Sequence, residues 1–229
     1  MHIPDGYLGP PTYLATFAAC VPLWRLAARK VGASLSPRRV PLLALASAYA
    51  FVIMMFNIPL PGGSTGHAVG GVLIAILIGP WAAALAVSIA VVIQALLFGD
   101  GGVTAIGANC LNIAFVMPFT GYAAYAALSR LAPTARWRAV AAGIGGWVGL
   151  TAAAFTASVM FGLQPLLHTA ADGRALYAPY PLAVAVPVML LQHLLVFGVV
   201  EGLLTGLVLA HLPATLLAGP LGPATESAP

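Results

Sequence analysis

Residues 68–98 read AVGGVLIAILIGPWAAALAVSIAVVIQALLF, without a single charged side chain. An uninterrupted apolar run of this length marks a membrane segment. It is also too long for one crossing, because the hydrocarbon layer takes about 20 helical residues. Gly79-Pro80 divides it: proline has no backbone N–H and its ring clashes with the preceding helical turn. The stretch therefore reads as two helices joined by a tight turn, the first of them short.

Further apolar runs cover approximately 12–30, 41–58, 105–129, 139–163 and 181–211, which with 68–79 and 81–98 makes seven helices. Charged residues are 6% of the chain and hydrophobic ones 61%, whereas a soluble domain carries about 25% charged residues. A soluble fold is excluded. The expected fold is an all-α membrane protein, a seven-transmembrane-helix bundle forming one domain over residues 1–213. Residues 214–229, polar and proline-rich, read as a flexible tail.

The basic residues orient the bundle. Arg25, Arg29, Lys30, Arg38 and Arg39 lie between the first two helices, and Arg130, Arg136 and Arg138 between the fifth and sixth. Positive loops face the cytoplasm. With seven helices both clusters fall on that side and only Arg174 falls opposite; were 68–98 one helix, the clusters would oppose each other. The N-terminus is thus expected outside and the C-terminus in the cytoplasm. The net charge of +4 serves orientation and does not point to nucleic acid. Cys20 and Cys110 stand in or beside apolar runs with no CxxC spacing, and read as buried small residues.

On the outer face this topology gathers residues 1–11, 59–67, 99–104 and 164–180. The opening MHIPDGYLGP lacks the charged and apolar regions of a cleavable signal peptide. Met1 is expected to stay, because His2 is too large for initiator removal. The Met1 amine, the His2 amide nitrogen and the His2 imidazole Nδ1 close a five- and a six-membered chelate ring, placing three nitrogens in one plane. Square-planar nitrogen coordination suits Ni(II) or Cu(II). The plainer alternative is an exposed terminal histidine. The loop PGGSTGH, with Gly62, Gly63 and Gly66, ends on His67, a fourth nitrogen on the same face or else a helix-start histidine bonded to a carbonyl. Asp5 reads as bracing the opening turn. Asn57, Gln94, Asn109 and Asn112, near the outer ends of their helices, either support the inserted segment or bond between helices. His193 and Glu201 share one helix face and read as interior polar contacts. Gly198, Gly202 and Gly206, Gly145, Gly146 and Gly149, and Ala44, Ala46, Ala48 and Ala50 mark close helix packing, or in part a docking face. GGSTG also fits G-x-S-x-G, the nucleophile-elbow pattern, but that motif needs an α/β sheet. An intramembrane hydrolase using Ser64 is the remote enzymatic alternative, and a passive channel is a third.

MHIPDGYL together with FNIPLPGGSTGHAVGGVLIAILIGPWAA at 56–83 resembles the CbiM/NikM family, the substrate-binding membrane subunits of energy-coupling-factor transporters for nickel and cobalt, over essentially the whole chain. The resemblance implies a metal site on Met1, His2 and His67, and a multi-pass protein of a prokaryotic cytoplasmic membrane. The implied partners are a transmembrane coupling subunit, a cytoplasmic ATPase and, as a separate chain, a small accessory membrane subunit. It implies no enzymatic activity of its own; the sequence carries no P-loop. MHIPDG is closer to the nickel members, so Ni(II) is the expected cargo, with Co(II) feeding cobalamin synthesis as the alternative.

Overall fold

The computed structural model describes residues 2–33, 39–60, 65–132 and 134–213. Met1, Arg38, Gly62, Gly63, Ser64 and the tail 214–229 lie outside them. The long helices are α1 (Pro10–Gly32), α2 (Arg39–Met54), α4 (Pro80–Ile93), α6 (Met117–Ser129), α7 (Ala135–Leu167) and α9 (Gly198–His211). Shorter ones are α3 (Gly71–Ile78), α5 (Ile106–Asn109) and α8 (Leu182–Gln192). Three π-helical segments continue or link them: Gln94–Phe98 after α4, Cys110–Val116 between α5 and α6, and His193–Phe197 between α8 and α9. A two-stranded antiparallel ribbon, β1 (Ile58–Pro59) and β2 (Thr65–Gly66), pairs Ile58 with Gly66 and Pro59 with Thr65.

The division at Gly79-Pro80 is present. Gly79 adopts φ +92°, a conformation that L side chains resist. It closes α3, and Pro80 opens α4 at a position where a missing N–H costs nothing. The second helix ends at Met54 rather than 58. Pro59 disfavours helical backbone at Ile58, and Ile58 and Pro59 pair as β1 instead. Among the described residues four helical stretches are long and apolar enough to cross a membrane: Pro80–Phe98, Ile106–Ser129, Ala135–Leu167 and Leu182–His211, with Val40–Met54 a shorter apolar helix. The 23-residue α1 is diluted by Arg25, Arg29 and Lys30 and by Pro10, Pro11 and Pro22.

The glycine stripes are used internally. A β-carbon on Gly202 would stand 2.7 Å from the Gly143 carbonyl oxygen, and one on Gly145 2.7 Å from that of Gly121. Backbones of α7 thus lie directly against α9 on one side and α6 on the other, as small-residue faces allow. Ala46 and Ala50 are buried, while Ala44 and Ala48 are exposed on the surface of α2. Cys20 and Cys110 are both buried free thiols. The main apolar core runs through Met54, Val72, Val87, Ile113, Leu150 and Phe197. A smaller one, Ile3, Leu8, Ala105, Ala108 and Ala157, holds the start of the chain.

Candidate metal centre

The N-terminal segment is fastened at every second residue. Ile3 is fully buried in the smaller core. Its N–H donates to Asn109 Oδ1 at 2.8 Å, and its carbonyl accepts from Asn109 Nδ2 at 3.1 Å and from Gly102 N at 2.8 Å. Asp5 accepts from Val103 N at 3.0 Å, from Thr104 N at 2.9 Å and from the Thr104 hydroxyl. The Tyr7 carbonyl accepts from Ala178 N at 3.1 Å. Gly9 N donates to Gln164 Oε1 at 2.8 Å. Gly101 and Gly102 make room for this approach: a β-carbon on Gly102 would lie 2.4 Å from Asp5 N and 2.8 Å from the Pro4 carbonyl carbon. The Thr104 hydroxyl bond foremost holds the Asp5 carboxyl below its ordinary pKa.

So held, His2 turns inward, with a side chain 3% exposed. Its Nδ1 lies 3.3 Å from His67 Nε2, and the two rings overlap at a centroid distance of 4.9 Å and an angle of 29°. His67 stands just after β2 and four residues before α3, rather than at the helix start itself. Its Nδ1 is 3.0 Å from the Ala68 carbonyl. A carbonyl only accepts, so the ring hydrogen sits on Nδ1 and Nε2 presents its lone pair to His2. Adjacent corners of a square with metal–nitrogen bonds of about 2.0 Å are about 2.8 Å apart. The two imidazoles need close by only a few tenths of an ångström to share an ion. His2 Nδ1 also donates to Asp100 Oδ1 at 3.2 Å. A metal on Nδ1 would displace that hydrogen to Nε2, which is buried and has no hydrogen-bond partner among the described residues.

Burial pushes both imidazoles below the ordinary histidine pKa, opposed at His2 by the Asp100 hydrogen bond. The same bond holds the Asp100 carboxyl below its usual range. Both rings are thus neutral near neutral pH, the form that ligates. Among the described residues no three His, Cys, Asp or Glu side chains are grouped to hold a metal ion. An ion between His2 and His67 would draw its remaining donors from the backbone, from the chain terminus or from water.

The loop carrying His67 is itself pinned from below. The Glu201 carboxyl group, fully buried in α9, accepts from Val69 N at 2.7 Å and Gly70 N at 3.1 Å, and Thr205 Oγ1 stands 3.4 Å away. Phe197 packs under Gly66, where a β-carbon would lie 2.6 Å from its ring. Gly70 turns the chain into α3 at φ +72°, closely against Tyr49.

Of the other residues singled out from sequence, Asn109 clamps Ile3 and Asp5 ties the segment to residues 103–104. Asn57 is exposed, beyond the end of α2. Asn112 turns away from the site, accepting from Thr156 Oγ1 at 2.7 Å and lying 3.6 Å from Met160 Sδ. Gln94 contacts Met55 Sδ at 3.8 Å. Met1, Gly62 and Gly63 are outside the described residues. Sequence reasoning missed Asp100, Thr104 and Gln164 and gave Glu201 no specific task. The glycine-rich stretch Gly99-Asp100-Gly101-Gly102, on the same expected face as His2, was the available signal for the first.

Comparison with known proteins gives the family. Residues 2–215 match the family model described as the cobalt uptake substrate-specific transmembrane region. The fused nickel transport protein NikMN of Rhodobacter capsulatus is 53% identical over 213 residues, 93% of this chain and 61% of that protein. The probable fused nickel transport protein LarMN of Lactiplantibacillus plantarum is 49% identical over 210 residues, 91% of this chain and 63% of that one. The chain thus spans about three fifths of the length of these relatives. The crystal structure of a truncated transition metal transporter superposes with a TM-score of 0.88 at 49% identity, covering 95% of this chain and 99% of the other. A protein with several long apolar helices, matched by the family model over residues 2–215, is a multi-pass membrane protein and belongs to the CbiM family, that of the cobalt uptake substrate-specific transmembrane region.

Proposed function

We propose that the protein is the metal-capturing membrane subunit of an ATP-driven nickel importer. Ni(II) arriving from outside is held in a square of four nitrogens: the Met1 amine, the His2 amide, His2 Nδ1 and His67 Nε2. The observation that carries this reading is the 3.3 Å approach of His2 Nδ1 to His67 Nε2, both rings buried, at the end of a segment fastened at Ile3, Asp5, Tyr7 and Gly9. In the chelate the amide nitrogen lies between amine and imidazole, so His67 takes the corner opposite the amide. Loss of the amide proton supplies much of the strength and makes capture pH-dependent.

Nickel is favoured over cobalt by the square of nitrogens and by relatives, named for nickel, that align over 93% and 91% of the chain. The family model's own description is of cobalt uptake, and Co(II) is the competing cargo. The seven-crossing topology with the N-terminus outside is supported by the basic residues gathered where α1 gives way to α2 (Arg25, Arg29, Lys30 and Arg39) and α6 to α7 (Arg130, Arg136 and Arg138). It places the site at the outer face of a prokaryotic cytoplasmic membrane. A transmembrane coupling subunit and a cytoplasmic ATPase, with a small accessory membrane subunit, complete the importer and drive release inward. His2→Ala and His67→Ala should each abolish stoichiometric nickel binding; wild-type nickel affinity in either variant would overturn the reading. Nickel uptake that persists after loss of the ATPase would instead indicate a passive channel.

A further inference from the structure

Beside the His2–His67 pair lies a cavity of about 220 Å³. Asn57 and Thr65 form its exposed rim, and His2 and His193 are buried in its wall, with Asp100 and Met189 between. His193 opens the π segment that interrupts the α8–α9 rod. Its Nδ1 is 2.8 Å from the Met189 carbonyl, so the ring hydrogen is on Nδ1 and Nε2 carries a lone pair. That Nε2 is buried and has no hydrogen-bond partner among the described residues. His193 is 2% exposed. Nothing in the packing so far described uses it.

A buried imidazole lone pair, a carboxylate and a thioether residue around one polar cavity match a borderline divalent ion better than magnesium or calcium. Asp100 belongs to both places: it lines the cavity, and its Oδ1 is 3.2 Å from His2 Nδ1, which is itself 3.3 Å from His67 Nε2. The proposed square closes only when the amide proton leaves, so an arriving ion is first held by fewer donors, and Asp100 and His193 lie close enough to the pair to add to them. We propose that His193 Nε2 and the Asp100 carboxylate form a second, transient divalent-metal site in this cavity, from which the ion passes to His2 and His67. The transfer is ligand exchange without redox change: water and then the cavity ligands leave the ion as the four nitrogens bind, and the amide proton goes to solvent. This inference rests on the nickel-capture reading above.

The test is rapid mixing of nickel(II) with purified full-length protein, following the absorption of the square-planar ion. In His193→Gln and His193→Leu the band should appear more slowly by about tenfold or more, the scale on which losing a supporting group changes a metal site. Its final amplitude and position should match wild type. A second measurement is calorimetry on protein extended before Met1 by an N-terminal tag of several residues, which removes the amine from reach of the square. It should show one weak nickel equivalent, lost in the same extended protein carrying Asp100→Asn or His193→Gln. An unchanged rate in the His193 variants, no weak equivalent in the extended protein, or an equivalent that survives both substitutions would overturn the proposal. Wild type without the square-planar band would overturn the capture reading instead, and the calorimetry would still decide the cavity site.

Discussion

Asn109→Ala should undock the N-terminal segment and weaken nickel binding without unfolding the bundle. The Asn109 carboxamide is buried and makes two hydrogen bonds to Ile3, at 2.8 Å to its N–H and 3.1 Å from its carbonyl. The Ile3 carbonyl keeps its bond from Gly102, so on that side the loss is an ordinary hydrogen bond, about 0.5–1.5 kcal/mol. The Ile3 N–H is left dry and unpaired, which costs about 1–3 kcal/mol. Together these amount to about 1.5–4.5 kcal/mol, or about 10- to 2000-fold in the docking equilibrium. Apparent affinity follows the docked fraction, so an excess of docking in wild type absorbs part of this; a fall of at least about tenfold is expected. Chelator competition reads the affinity, and hydrogen exchange at residues 2–9 reads the docking. Asn112→Ala is the control, because Asn112 bonds Thr156 on α7 and not the segment; it should leave nickel affinity unchanged. If a folded Asn109→Ala protein kept wild-type affinity and wild-type exchange protection, the coupling of docking to binding would be refuted.

Four further outcomes are expected. Glu201→Gln replaces an acceptor of the Val69 and Gly70 N–H groups by an NH₂; thermal stability should fall by about 1–3 kcal/mol and nickel affinity with it, measured by thermal unfolding and chelator competition. Gly102→Ala forces a methyl against the Asp5 amide and the Pro4 carbonyl, so exchange at residues 2–9 should accelerate and nickel affinity drop by about tenfold or more. Capture should release protons: one from the amide at any pH, and a second from the Met1 amine, rising towards two in total below about pH 7.7, the ordinary amine pKa, as read by calorimetry in buffers of different ionisation enthalpy. Docking itself should weaken in acid. His2 and His67 have depressed pKa values when docked, so the undocked segment takes up protons first as pH falls below about 6.5, and exchange at residues 2–9 should speed up between pH 7 and 5.

Local chemistry made part of this molecule legible from sequence. Gly79-Pro80 ends one helix and starts another because proline and a left-handed glycine act within a turn. The glycine-rich approach to His67 is likewise a short-range pattern, and the chelate proposed at Met1-His2 rests on local spacing of the same kind. What sequence could not supply were the pairings: Asn109 with Ile3, Gln164 with Gly9 and Glu201 with Val69 join residues more than 100 positions apart, and no periodicity announces such partners. Asn109 and Asn112 illustrate this. Both are buried polar residues three positions apart, yet Asn109 bonds Ile3 of the N-terminal segment while Asn112 bonds Thr156 on α7. Asp100 escaped notice for a different reason: its loop has glycine and charge but no pattern that names a ligand.

The Met1 amine, proposed as one corner of the nickel square, is a donor that no side chain replaces. Its role is tested most directly by nickel analysis and the absorption spectrum of purified protein beginning at Met1, beside the same protein extended by an N-terminal tag of several residues. The account predicts one equivalent of yellow, diamagnetic, square-planar Ni(II) in the first and loss of that species in the second. Full nickel affinity with an unchanged spectrum in the extended protein would contradict it.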